Sequence, residues 1–270
     1  IYARPKDIED LGEIKDHHNN LFFSLTDAQY EKFKHGHAGT AVLFAEMFYP
    51  NTDKNVIHCD SDLVFKKESI SLIETAFDEG YDIVGSRRCY KNNPGKVPIP
   101  DGIPDAISTY FFGMKTKVLP KGYSFEQMAK MMEGHPIDIN HTILDFFDPV
   151  YFHCLKNGAK TKFLDSNLIG GQNEHGSKIN NYKSNLHLDM GEHLSHWGGV
   201  GSGYAVEHGL SNPEQSYADW SRGRWKLFSN IFYQTNTSYD APTQYGNDGR
   251  WIAGEPDENI LNLVKEDLSN

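Results

Sequence analysis

Apolar residues recur along this chain in short runs, separated by polar stretches with helical spacing. Leu21-Phe22-Phe23-Ser24-Leu25 reads as a strand, and Thr26-Asp27-Ala28-Gln29 has the spacing of a capping box opening a helix. Gly36 and Gly39 bracket His37 in a break. A second helix is expected through Phe48, with Ala41, Phe44, Ala45 and Phe48 on one face. Residues 55–59 form an apolar strand. Glu68 to Glu79 follows with Ile70, Ile73, Ala76 and Phe77 in a helical stripe, and Gly80 ends it. Residues 81–85 and 107–114 read as further strands, and 90–106, with four prolines, as a long loop. Helices are expected over 124–133, 139–157 and 220–232, a short strand over 161–164, and a glycine- and asparagine-rich loop over 166–185. Strands alternating with helices predict an α/β fold with a mixed, mostly parallel central sheet flanked by helices. The expected division is one α/β domain over 1–205 and a helical or irregular extension over 206–270 packed on it.

Composition narrows the classes. Over 270 residues, 38% hydrophobic and 13% aromatic content is enough for a sizeable core and argues against general disorder. The net charge of −11 and the lack of a basic stripe exclude nucleic acid as the expected partner. Cys59, Cys89 and Cys154 are far apart and lack zinc-type pair spacing, so they read as reduced thiols. That reading fits a reducing, cytoplasmic compartment. No apolar run approaches the roughly 18 residues of a membrane span.

The candidate chemistry starts where the strand 55–59 runs into Asp60-Ser61-Asp62. Two carboxylates one residue apart at a strand end can hold a divalent cation, and that cation can hold a diphosphate. The bland alternative is a solvated turn carrying two acids. A second signal is His193-Leu194-Ser195-His196-Trp197-Gly198-Gly199-Val200-Gly201-Ser202. The imidazole of His196 suits a third ligand position, with His193 in competition. Gly198 and Gly199 would let backbone amides approach an anion. Asp148, with Asp145 one turn before it, could deprotonate a hydroxyl; an acid at a helix start is also simply favoured by the dipole. His37 could meet a phosphate at a helix start. Arg87 and Arg88 could offset diphosphate charge or form a solvated pair. Trp197, Tyr110, Phe111 and Phe112 could give a sugar platform, against ordinary core packing.

The order of these signals, Gly36-His37-Ala38-Gly39, the strand into Asp60-Ser61-Asp62, then Asp82-Ile83-Val84-Gly85-Ser86, resembles the GT-A glycosyltransferases over roughly residues 20–205. The nearest pattern is the large inverting family of rhamnosyl-, galactosyl- and glucosyltransferases. The resemblance implies a Rossmann-like GT-A catalytic domain and a metal, manganese or magnesium, on Asp60 and Asp62. The late His-x-Gly-Gly-x-Ser pattern of that family is matched by His196 to Ser202 with one extra glycine, which implies a metal or diphosphate contact at His196. Ser61, His37, Arg87, Trp197, Gly198 and Gly199 would then surround the donor. The family's Glu-Asp before an apolar helix falls on Phe147-Asp148, which implies Asp148 as the base and Asp145 as its reserve. The implied donor is a UDP-, GDP- or dTDP-sugar and the implied acceptor a hydroxyl of a glycan or polysaccharide, with inversion. The family opens with a strand and nucleotide-gripping loop that this sequence lacks before residue 20; that part is expected upstream or rearranged. Two rivals remain. Asp60-x-Asp62-x-Val64 also resembles the haloacid-dehalogenase-type phosphatases, with Asp60 as covalent nucleophile. The other is a carbohydrate-binding protein without catalysis.

Overall fold

The computed structural model describes residues 2–3, 23–24, 55–60, 62–88, 104–119, 133, 145, 147–169, 189–213, 215–232, 244–245 and 251–252. The helices expected near 26–48 and over 124–133, together with His37, Ser61 and Cys89, therefore lie outside the described residues, apart from Glu133.

In chain order the elements are β1 (Tyr2–Ala3), β2 (Phe23–Ser24), β3 (Asn55–Cys59), β4 (Leu63–Phe65), α1 (Ile70–Asp78), β5 (Ile83–Arg88) and β6 (Ala106–Lys115). A 3₁₀ turn over Thr116–Val118 follows, then α2 (Asp148–Lys156), β7 (Thr161–Leu164), α3 (Ser166–Ile169), β8 (Asp189–Met190) and β9 (Leu194–His196). The last are α4 (Val200–Glu207), α5 (Gln215–Phe232), β10 (Gln244–Tyr245) and β11 (Trp251–Ile252). The chain divides into two compact units: 1–54 with 116–158, and 55–115 with 159–270. The boundary expected at 205/206 falls inside α4.

In the second unit, four strands pair in the order β3-β6-β5-β7. The β5–β7 ladder is parallel, whereas β6 runs antiparallel to both β3 and β5. So β3, β5 and β7 share a direction and β6 opposes them. The α/β class holds, but with a mixed sheet in which only one of these three ladders is parallel. β5 and β6 are consecutive in the chain, and an antiparallel pair needs no crossover helix. A smaller sheet, β4-β9-β8, is antiparallel throughout.

Of the stripe expected on α1, Ile70 is exposed at the helix start, while Ile73, Ala76 and Phe77 recur at helical spacing and are all buried. They join Val84, Tyr110, Phe111 and Leu164 from the sheet, and Ile169 and Leu194, in one core cluster. Each large apolar side chain buried this way contributes about 1.5–3 kcal/mol. Leu194 belongs to that core and to β9, so the core fixes the strand that ends at His196. Alpha-helices α4 and α5 pack backbone to backbone: a β-carbon on Gly203 would lie 1.9 Å from the Ser221 carbonyl oxygen. Arg222 and Lys226 of α5 both reach Glu207 of α4, at 3.2 and 3.6 Å.

In the first unit, α2 begins at Asp148, not at 139. Asp145 is described and non-helical, and residues 139–144 lie outside the described residues. Pro149 suits the first turn, where no backbone N–H is needed, and favours a start at this point. Cys154 of α2 donates to the Val118 carbonyl at 3.3 Å.

Candidate metal centre

Three side chains expected to act together are brought together. Asp60, Asp62 and His196 each offer one ligand atom, and these atoms all lie within 4.8 Å of one another. The arrangement follows from strand pairing. The chain leaves one sheet at Cys59 and enters the other at Leu63, so Asp60 and Asp62 occupy the crossing between β3 and β4. The Asp60 N–H donates to the Tyr110 carbonyl at 2.8 Å, extending the β3–β6 ladder by one residue. On the other side, Leu63 pairs with His196, and the Trp197 N–H donates to the Asp62 carbonyl at 2.9 Å. Beta-strand β9 is held further along at His193, whose carbonyl accepts from the N–H groups of Lys66 and Lys67 and lies 3.1 Å from the buried Ser69 hydroxyl.

His196 Nε2 is 3.5 Å from Asp62 Oδ1, at the outer limit of hydrogen bonding. The imidazole is stacked on Tyr110, with ring centroids 4.3 Å apart and planes 14° from parallel. Gly198 closes on the same ring: a β-carbon there would sit 3.2 Å from His196 Cε1. Gly199 precedes α4 with φ +90°, a left-handed conformation costly for any residue with a β-carbon. The glycines thus have local reasons for being glycine, one of them room for the histidine.

The two carboxylates differ in setting. Asp62 is buried and Asp60 half-exposed. Burial by itself would raise the Asp62 carboxyl. The His196 hydrogen bond and charge, a backbone hydrogen bond and the Arg224 charge outweigh it and hold Asp62 below the usual carboxylate range. Asp60 Oδ1 is 3.1 Å from His58 Nε2. The neighbouring Cys59 is exposed as a residue, yet its thiol is pushed up to about 11, by burial first and the Asp60 carboxylate second. With no cation bound it is therefore protonated at neutral pH.

The donor set of two carboxylates and one imidazole fits a divalent cation of the manganese type; calcium and magnesium are served by oxygen donors alone. Among the described residues His193 is not one of the three: its backbone carbonyl is taken up in fixing β9, and its buried Nδ1 meets no hydrogen-bond partner among them. Trp197 is fully buried with its ring edge-on to Phe228 at 5.5 Å, so its indole is core and not a sugar platform; only its backbone serves the site. Phe111 and Phe112 are buried too. Arg87 stands at the carboxyl end of β5, 3.7 Å from Asp105 and with its guanidinium over Phe163. In the other unit Asp148 is fully buried, and its Oδ2 accepts the Asp145 N–H at 2.6 Å while its own N–H donates to the Asp145 carbonyl. This reciprocal pair closes a turn just before α2, whose N-cap, Phe147, makes no side-chain cap hydrogen bond.

Three participants went unread in the sequence: His58, Tyr110 as a partner of His196, and Arg224. Arg224 had a usable signal. It lies three residues from both Ser221 and Leu227 on a helix, and both of those are buried. Among the described residues no helix is long and apolar enough to cross a membrane. Comparison of the chain with known protein families, with curated proteins and with solved structures returned no match.

Proposed function

We propose that this chain is a cation-dependent glycosyltransferase of GT-A type, moving a sugar from a nucleotide-sugar to an acceptor hydroxyl with inversion. The observation that carries the reading is the convergence of Asp60, Asp62 and His196, from two segments some 130 residues apart, on one point between two sheets. Asp60 and Asp62 would hold manganese, with His196 completing the set; magnesium would take the two carboxylates alone. A divalent cation bound there supplies the positive charge that a departing diphosphate needs. The carboxyl ends of β3, β5 and β7 share one edge of the sheet, the edge where ligands of open α/β sheets bind, and Asp60 follows directly on β3. The resemblance would put the general base on Asp148, with Asp145 in reserve. Asp148 is fully buried, so it can act so only if it becomes accessible to an acceptor hydroxyl.

The test is calorimetric titration with UDP, GDP and dTDP, with and without manganese. One nucleotide should bind only with the metal, and Asp62→Asn should lose that binding with the fold intact. Unchanged binding by Asp62→Asn would remove the metal role. Failure of all three nucleotides, with hydrolysis of a phosphomonoester that Asp60→Asn abolishes, would favour the phosphatase reading. Asp148→Asn should lower turnover by about 10²–10⁴ with donor binding kept; undiminished turnover would take the base role away from it.

A further inference from the structure

The half-exposed carboxylate of the cluster has a neighbour that no reading above uses. His58 Nε2 stands 3.1 Å from Asp60 Oδ1. An ionised carboxylate can only accept, so Nε2 carries the proton and donates it. The position of the ring is itself fixed. His58 pairs with Phe112 across the β3–β6 ladder, and the two rings stack with centroids 5.2 Å apart and planes at 28°. Phe112 is 1% exposed and cannot yield. Two residues along the same strand, Tyr110 stacks on His196. Residues two apart on a strand leave the same face. One face of β6 therefore carries both rings that back the histidines of this site, and each histidine meets one of the two carboxylates.

Asp60 needs such a hold more than Asp62 does. Its side chain is 39% exposed, against 13% for Asp62. An exposed aspartate at a strand end samples several rotamers, and a ligand that must be ordered on cation binding weakens affinity. We propose that His58 is a positioning residue of the cation site: its Nε2–H holds the Asp60 carboxylate in the orientation in which it meets a divalent cation together with Asp62 and His196. Hydrogen bonds to ligating carboxylates commonly have this use. The inference rests on reading Asp60, Asp62 and His196 as a cation site.

The experiment separates ring from donor. His58→Phe keeps an aromatic ring against Phe112 and removes the N–H. His58→Gln gives up the ring and keeps an amide N–H near the place of Nε2. Manganese affinity of the full chain is read from the loss of the free-ion electron paramagnetic resonance signal, with Asp62→Asn as control. His58→Phe should bind about 10–100-fold more weakly, and His58→Gln close to wild type. Imidazole nitrogen coupling to bound manganese should persist in His58→Gln, because His196 is the ligand. Wild-type affinity in His58→Phe overturns the proposal. Equal loss in both variants, with the nitrogen coupling altered in His58→Gln, also overturns it, because the imidazole would then be a ligand. Equal, negligible binding by wild type and Asp62→Asn would instead remove the cation site itself, and the positioning role with it.

Discussion

Asp62 is the residue at which opposing effects can be ranked. Burial disfavours its charge, yet its carboxyl lies below the ordinary range, so His196, the backbone and Arg224 together exceed the desolvation cost. The sign of the pH effect follows. With a native value below the unfolded one, near 3.9, Asp62 contributes stability that is fully present above that pH. The contribution is lost as pH falls through the native value. The stability difference between wild type and Asp62→Asn, measured by urea unfolding without metal, should thus be largest at neutral pH and narrow below about pH 4. A constant difference from pH 7 to 3 would mean that the carboxylate charge is not what stabilises the fold. At this scale the sequence was informative where chemistry is written in residue type and local spacing: Asp60, Asp62 and His196 were all legible. His58 and Tyr110 were not, because their roles come from cross-strand register, which local spacing does not encode.

Among the described elements, the decisive piece is the pairing of β4 with β9, which brings residue 62 to residue 196. Its two strands are only three residues each, so their position depends on what lies behind them. Leu194 in the main core is one support, and the Ser69 hydroxyl at the His193 carbonyl is another. A third lies just after the site, where α4 meets α5. Gly203 admits the Ser221 backbone so closely that a methyl group has no room, and backbone cannot swing aside as a side chain does. Gly203→Ala should cost about 1–3 kcal/mol, the usual range for overpacking, in chemical unfolding. Manganese affinity should fall with it if the helix pair steadies His196. A fully stable Gly203→Ala would mean that the helices are not held at this separation. Periodicity found α1, β3, β6 and β7 to within a few residues, because burial on one face imposes a period. It did not find the start of α2, which falls at Asp148 with Asp145 and Phe147 non-helical before it, although Pro149 marks a first turn. It also gave no strand direction, because apolar runs read alike whichever way a neighbour runs, and the opposing course of β6 was missed for that reason.

At the scale of the whole molecule, the chain passes three times between two compact units, and all three proposed ligands fall in the unit made of 55–115 and 159–270. That unit is built from two separated stretches of chain. Asp60 and Asp62 come from the first and His196 from the second, so a cation binding all three ties the stretches together. A ligand that binds only the folded form stabilises it by RT ln(1 + [L]/Kd), about 2.7 kcal/mol at a hundred times Kd. For a unit of 150–250 residues each kcal/mol raises Tm by about 2–4 °C. Calorimetric melting with saturating manganese should therefore shift the transition of this unit upward by roughly 5–11 °C. If the units melt separately, the transition belonging to 1–54 and 116–158 should stay in place. Asp62→Asn should abolish the shift, and so should His196→Ala, which removes the ligand from the second stretch. A shift that survived His196→Ala but not Asp62→Asn would leave the cation on the Asp60–Asp62 turn alone. In that case the join between the two stretches would rest on the β4–β9 ladder and the core beneath it, and the cation would add nothing to it.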